Sequence, residues 1–206
     1  MNVKPSEMRA FFAFVYTFSM KIATKQLITA IVGKLQTNIQ RAESLKNLPL
    51  ETLNHKEHIN SWSALECIEH LNLYGDFYLP AIKTAIEHSK TKPDTFFKGG
   101  FIGNYFVKAM LPKEKLNKMK TAEDKNPAGS DIDINVIDRF IQQQRAFLKL
   151  IEKSKNINLT KTKTAISISK LIKLRLGDTF RFIVAHNERH LIQAERAIEA
   201  KAHSGS

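Results

Sequence analysis

The chain predicts an all-α fold, a bundle of four long helices. Two observations carry this: four separate stretches repeat their apolar residues at helical spacing, and each is bounded by capping or helix-breaking residues. Size is the third. With 206 residues, 43% of them hydrophobic and 25% charged, the chain suits one globular domain with at most an appendage.

The first helix is expected over residues 24–46, where Leu27, Ile28, Ile31, Leu35, Ile39, Ala42 and Leu45 form one stripe. Pro49 and the polar stretch 51–60 end it. Ser61 or Ser63 is placed to cap the second helix beside Trp62. That helix is expected to reach Ser89, with Pro80 removing one backbone donor and kinking it. Leu65, Ile68, Leu71, Leu79, Ile82 and Ile86 widen its apolar arc beyond what a four-helix interior requires. Either the long connection 91–130 or a second subunit, making a homodimer, is expected to cover the excess. The connection holds Gly99, Gly100 and Gly103, a short helix over 104–110 and a lysine-rich turn; its glycines match no phosphate-binding spacing. Asp131 or Asp133 is placed to cap the third helix, which contributes Ile134, Ile137, Phe140, Ile141, Phe147, Leu148 and Ile151. The fourth begins near Asp178.

At the N-terminus, the apolar run 10–18 is far shorter than the roughly 20 residues that cross a bilayer, so no membrane partner is expected. Met20 opens a normal start, which makes residues 1–21 an extension and 22–202 the folded domain. The alternative is a signal peptide over residues 1–23, against which stand Glu7 and the absence of a small-residue cleavage site. Cys67 is the only cysteine, so no intramolecular disulfide forms and the cytoplasm is the simplest location, with secretion as the alternative.

The net charge of +12 is sharpest between Lys153 and Arg175, where Lys155, Lys161, Lys163, Lys170 and Lys173 meet no acidic residue. This is either a solvated basic loop or a mouth that draws in anionic substrates, with Lys170, Lys173 and Arg175 the binding candidates. Nucleic acid is not expected, since no aromatics interleave the cations and no helix-turn-helix or OB-like pattern occurs.

Three histidines carry the chemistry. His186 and His190 stand four apart, and a step of four turns an α-helix by about 40°, so both rings leave one stripe. That stripe is apolar, with Phe182 and Ile183 before the pair and Ala194 and Ala197 after it. His70 faces the interior from the second helix, in line with Cys67, Tyr74 and Phe77. Buried imidazoles need partners, because an unsatisfied polar group costs about 1–3 kcal/mol. Either each ring finds its own hydrogen bond, or the three share a metal ion with coordination positions left open. Cys67, one turn before His70, is either a fourth ligand or a small buried hydrophobe. Glu66 is either a surface carboxylate or a catalytic base or extra ligand, and Gln193 either a packing amide or a hydrogen-bond partner of ligand or histidine. His55 and His58 fall in a solvated loop, while His88 lies about 27 Å along the helix from His70 at 1.5 Å per residue.

The runs Trp62-Ser-Ala-Leu-Glu-Cys-Ile-Glu-His70-Leu and His186-Asn-Glu-Arg-His190-Leu-Ile-Gln193 resemble the DinB-like superfamily. Its second-helix motif is W-S followed by H-L, and its last-helix motif is H-x3-H-x2-Q. The resemblance covers about residues 22–200. It implies an up-down-down-up four-helix bundle, with a long crossover between helices two and three, whose inward histidines, matching His70, His186 and His190, bind a divalent metal. Three neutral imidazoles favour zinc or nickel, with iron or manganese as alternatives. The superfamily includes metal-dependent thiol S-transferases, and such a transferase, joining a low-molecular-weight thiol to a small electrophile, is the leading expectation. A metal-dependent hydrolase and a non-catalytic dimeric metal-binding stress-response protein are the alternatives.

Overall fold

Every stretch of helical periodicity forms a helix, and the computed structural model describes residues 21–111 and 121–204. In chain order the elements are β1 (Lys21–Ala23), α1 (Thr24–Leu45), the single turn α2 (Leu50–Leu53), α3 (Ala64–Glu87), β2 (Phe96–Lys98), α4 (Phe101–Met110), α5 (Val136–Lys153), β3 (Lys163–Ile166), β4 (Ser169–Arg175) and α6 (Leu176–Ser204). The fold is mostly helical, with two small two-stranded sheets. Residues 1–20 of the expected N-terminal extension, and the lysine-rich turn of the connection, 112–120, lie outside the described residues. Among the described residues no helix is long and apolar enough to cross a membrane.

Local chemistry sets the helix ends. Ser63 and Glu66 form a reciprocal capping box on α3: the Glu66 N–H donates to Ser63 Oγ at 3.2 Å and the Ser63 N–H donates to Glu66 Oε2 at 2.8 Å. The helix runs on through Pro80 to Glu87. Neither Asp131 nor Asp133 caps α5. Asn135 holds the cap position without a side-chain bond, and Asp133 instead accepts the Asn135 N–H at 2.7 Å, turning the chain just before the helix. Asp178, expected at the start of the last helix, lies inside its first turn. It is buried and ties α6 to the start of α4, accepting from the Gly100 N–H at 2.7 Å and from Arg181 at 2.8 Å.

The four long helices pack pairwise, α1 and α3 each against both α5 and α6. Side-chain pairs give the sense of each contact. Lys34–Glu188 at 2.8 Å and Arg41–Glu195 at 2.6 Å run α1 and α6 the same way. Arg139–Glu69 at 3.1 Å and Gln143 Nε2 to the Asn72 carbonyl at 3.1 Å do likewise for α5 and α3. Lys46–Asp138 and Arg145–Glu43 make α1 and α5 antiparallel. The ring contacts Tyr78–Phe182 and Trp62–His190 make α3 and α6 antiparallel.

Two strand pairs were not expected. β1 pairs antiparallel with β2, Ile22 opposite Phe97, and so closes the connection back onto the start of α1. The basic segment is not a loop: β3 and β4 form an antiparallel hairpin with an irregularity at Ala165/Ile166. Thr164, Ile166 and Leu174 are buried on one face while Lys163, Leu171 and Lys173 face solvent, the period-two pattern of a half-buried ribbon. Most of the wide apolar arc of α3 is covered within the chain. Leu65, Ile68 and Leu71 are buried in one cluster with Ile137, Phe140 and Ile141 of α5 and Ile82 is buried in the other, while Leu79 and Ile86 stay half-buried.

The core divides into two apolar clusters, and each long helix passes from one to the other across polar residues. On α1 the change falls at Asn38, between Leu35 and Ala42; on α5 at Gln143 and Gln144, between Ile141 and Phe147. On α6 it falls at His186, Asn187 and His190, between Ala185 and Leu191, and on α3 beside His70 and Asn72. All of these side chains are buried. A polar layer thus crosses the middle of the protein, partly satisfied by Asn187 Nδ2 donating to Gln144 Oε1 at 2.8 Å.

Candidate metal centre

The polar layer brings together the three histidines singled out in the sequence. His70 from α3 meets His186 and His190 from α6, with one ligand nitrogen of each within 4.8 Å of the other two. His70 Nε2 lies 3.2 Å from His186 Nε2. Two nitrogens bound to one ion at about 2.05 Å stand about 2.9 Å apart at a right angle and about 3.3 Å apart at the tetrahedral angle. The observed spacing is therefore already that of two ligands of one ion.

The outward nitrogens fix the inward ones. His70 Nδ1–H donates to the Lys125 carbonyl at 2.7 Å, and a carbonyl accepts only, so Nε2 carries the lone pair in the neutral ring. His190 Nδ1 lies 3.0 Å from Gln193 Oε1 and donates to it, with the same result. Such partners fix the tautomer and orientation of metal-binding imidazoles. Gln193 therefore acts on a histidine rather than serving only as a packing amide.

The surroundings are aromatic. Trp62 sits 4.7 Å from the His70 ring and 5.8 Å from His190, Tyr74 4.4 Å from His186, and Phe182 stacks on His186 at 5.5 Å. Burial among these rings pulls the His70 pKa down from 6.5 to about 4. It holds His186 and His190 well below the ordinary value too, with neighbouring imidazoles and the Arg189 guanidinium adding to the effect. All three rings are therefore neutral at pH 7, the form in which imidazole binds a metal. The donor set fits a divalent late first-row ion. Beside it lies a small cavity of about 10 Å³, room for about one water, whose walls include Tyr74, Tyr78, Phe147, Phe182 and His186.

Other sequence candidates fall elsewhere. Cys67 is fully buried in an apolar cluster, outside the ligand group, and burial pushes its thiol pKa up. Glu66 is neither a surface carboxylate nor a ligand. It is buried, and besides the cap it accepts from Lys56 at 2.7 Å and from the Gly129 N–H at 3.1 Å. His88 is exposed and bonds the Thr84 carbonyl in its own helix.

The basic hairpin meets the aromatic rings beside the triad at its turn, where the Ser167 N–H donates to Tyr78 Oη at 3.5 Å. Arg175 donates to the Lys98 and Gly99 carbonyls at 2.6 and 3.1 Å, about 15 Å before His186 along α6. Lys173 is exposed on the outer face, and the Lys170 side chain lies outside the described residues. The cations whose charge acts on the histidines are Arg189 and Lys125. Sequence reasoning passed over both, and also over the polar layer, whose signal was Asn38, Asn72, Gln144 and Asn187 standing within apolar stripes.

The profile of the DinB superfamily matches residues 34–194, which contain all three histidines and both motifs. The chain belongs to the DinB superfamily. No curated protein and no solved structure is significantly similar to it.

Proposed function

We propose that His70, His186 and His190 hold one divalent ion, zinc or nickel by the preference of three neutral imidazoles, and that the protein is a metal-dependent thiol S-transferase. The observation that carries this is the 3.2 Å between two Nε2 atoms, with the outward nitrogens of His70 and His190 held by oxygen acceptors. The long helices form an up-down-down-up bundle in this reading, supported by the sense of the four side-chain-paired contacts. When bound, the ion supplies Lewis acidity that deprotonates a coordinating thiol, the nucleophile such a transferase needs.

The residues divide the remaining work. Trp62, Tyr74 and Phe182 exclude water from the triad. Arg189 and Lys125, whose charges act on the histidines, join Lys170, Lys173 and Arg175 as candidates to hold an anionic group of the thiol. The hydrolase reading wants a carboxylate base beside the ion. Among the described residues none joins the ligand group, and both oxygens of Glu66 are engaged elsewhere.

Elemental analysis of untagged protein, wild type against His186→Ala and His190→Ala, tests the ion. About one transition metal per chain, lost in both variants, is expected. Metal-loaded protein is then assayed with glutathione-like thiols and small alkyl or epoxide electrophiles. Loaded protein inert to every pair, but binding the ion tightly, would leave a non-catalytic metal-binding role.

A further inference from the structure

The segment Glu123–Gly129 grips α3 at two points four residues apart, and its anchors on α3 are also four apart. Glu66 Oε1 accepts the Gly129 N–H at 3.1 Å and the Lys56 ammonium at 2.7 Å, while Oε2 accepts the Ser63 N–H at 2.8 Å. One turn on, His70 Nδ1–H donates to the Lys125 carbonyl at 2.7 Å. Both anchors are buried. The segment is braced within itself, Lys125 N–H to the Ala122 carbonyl at 2.9 Å and Asn126 N–H to the Glu123 carbonyl at 3.1 Å. Gly129 has φ 78°, a bend that side chains rarely adopt.

We propose that this segment is a strap coupled to the triad, and that Glu66 is its positioning residue; the proposal rests on the metal reading above. The Lys125 carbonyl accepts only from Nδ1–H, so a closed strap holds His70 in the tautomer whose Nε2 binds an ion. An ion at Nε2 draws charge from the ring, makes Nδ1–H a stronger donor and tightens the strap. By linkage, strap closure and ion binding strengthen each other by the same factor. Glu66 acts at one remove, by fixing Gly129 and so the carbonyl four residues before it. Loss of an outer hydrogen-bond partner typically costs 10–100-fold in metal affinity, and a residue one step further out belongs at the lower end, about tenfold.

Glu66→Gln is the informative variant. Its amide can still accept the Ser63 N–H, but it then turns an NH2 donor toward two other donors, Gly129 N–H and Lys56. Zinc affinity of the full chain is measured by chelator competition, the visible absorption of the cobalt form reports ligand geometry, and hydrogen exchange follows the amides of residues 125–130 other than Pro127. Expected are about tenfold weaker zinc binding, altered cobalt bands and faster exchange at Gly129. Ser63→Ala, which removes the cap acceptor and leaves the carboxylate's grip on Gly129, should lower the melting temperature and leave zinc affinity unchanged.

In wild type alone, zinc should slow exchange at Lys125 and Gly129, which keeps the test independent of any variant's folding. Wild type that binds zinc with no change in strap exchange, or Glu66→Gln with wild-type affinity and cobalt bands, overturns the strap and leaves the metal site standing. Wild type that takes up no ion overturns both.

Discussion

Acid should destabilise the metal-free protein through His70, whose pKa burial lowers. Its pKa is about 4 in the folded chain and about 6.5 when unfolded, because burial among Trp62, Tyr74 and the other imidazoles disfavours the charged ring. The unfolded chain takes up the proton first, so the stabilisation is complete above pH 6.5 and is lost as pH falls toward 4. At 1.36 kcal/mol per unit, this group alone removes about 2.5 kcal/mol between pH 7.5 and 4.5. His186 and His190 shift in the same direction and add to the loss. The assay is urea unfolding of chelator-treated protein at both pH values, wild type against His70→Asn. Asparagine keeps an N–H to offer the Lys125 carbonyl but has no proton to gain. Carboxylate titration is common to both proteins and cancels, so the stability gap between them should narrow by about 2.5 kcal/mol on acidification. A gap that stays constant within about 0.5 kcal/mol would mean that His70 is not a buried neutral imidazole, and the argument for its role as a ligand would go with it.

Further outcomes follow from the same geometry. His186→Ala and His190→Ala should each abolish bound metal with the circular-dichroism helix signal retained, whereas Cys67→Ala should keep full occupancy because that thiol sits in an apolar cluster. Because the folded rings stay neutral, protons compete with the ion only in acid. Zinc should be retained down to about pH 5, and half-release near 6.5 would contradict the lowered pKa values. Gly75→Ala drives a methyl into the Gln143 carboxamide, so Gln143 must abandon its bonds to Asn72 and Asp76; a loss of about 1–3 kcal/mol in urea unfolding is expected. Asn187→Leu should cost about 1–3 kcal/mol by stranding the buried Gln144, and adding Gln144→Leu should recover most of it; strictly additive losses would show that the two amides are independent.

The long helices were legible because their apolar residues keep one period over 18 residues or more, and the triad because an i, i+4 pair and a third inward ring share a single interior. The strands were not. β1 and β2 have three residues each, too few for any period, and in β3–β4 the alternation of Thr164 and Ile166 with Lys163 was hidden by a run of cations that reads as a loop. Arg175 looked like a free charge in sequence, yet its partners are backbone carbonyls, which no pattern of side chains announces. Glu66 was misjudged for a related reason. A capping glutamate is ordinarily exposed, and only the connection folding back over α3 buries it.

A metal ion also resolves a difficulty that hydrogen bonds between the rings leave. With Nδ1 protonated on His70 and on His190, both rings turn a lone pair inward. His186 Nε2 has one proton to give, and at 3.2 Å it can give it to His70. One proton serves one lone pair, whereas a single cation accepts from all three rings. Protonating a second ring to supply the missing donor is opposed by burial and by Arg189, both of which hold these pKa values down. The triad is thus a set of donors that the surrounding protein keeps deprotonated, pre-oriented and close together.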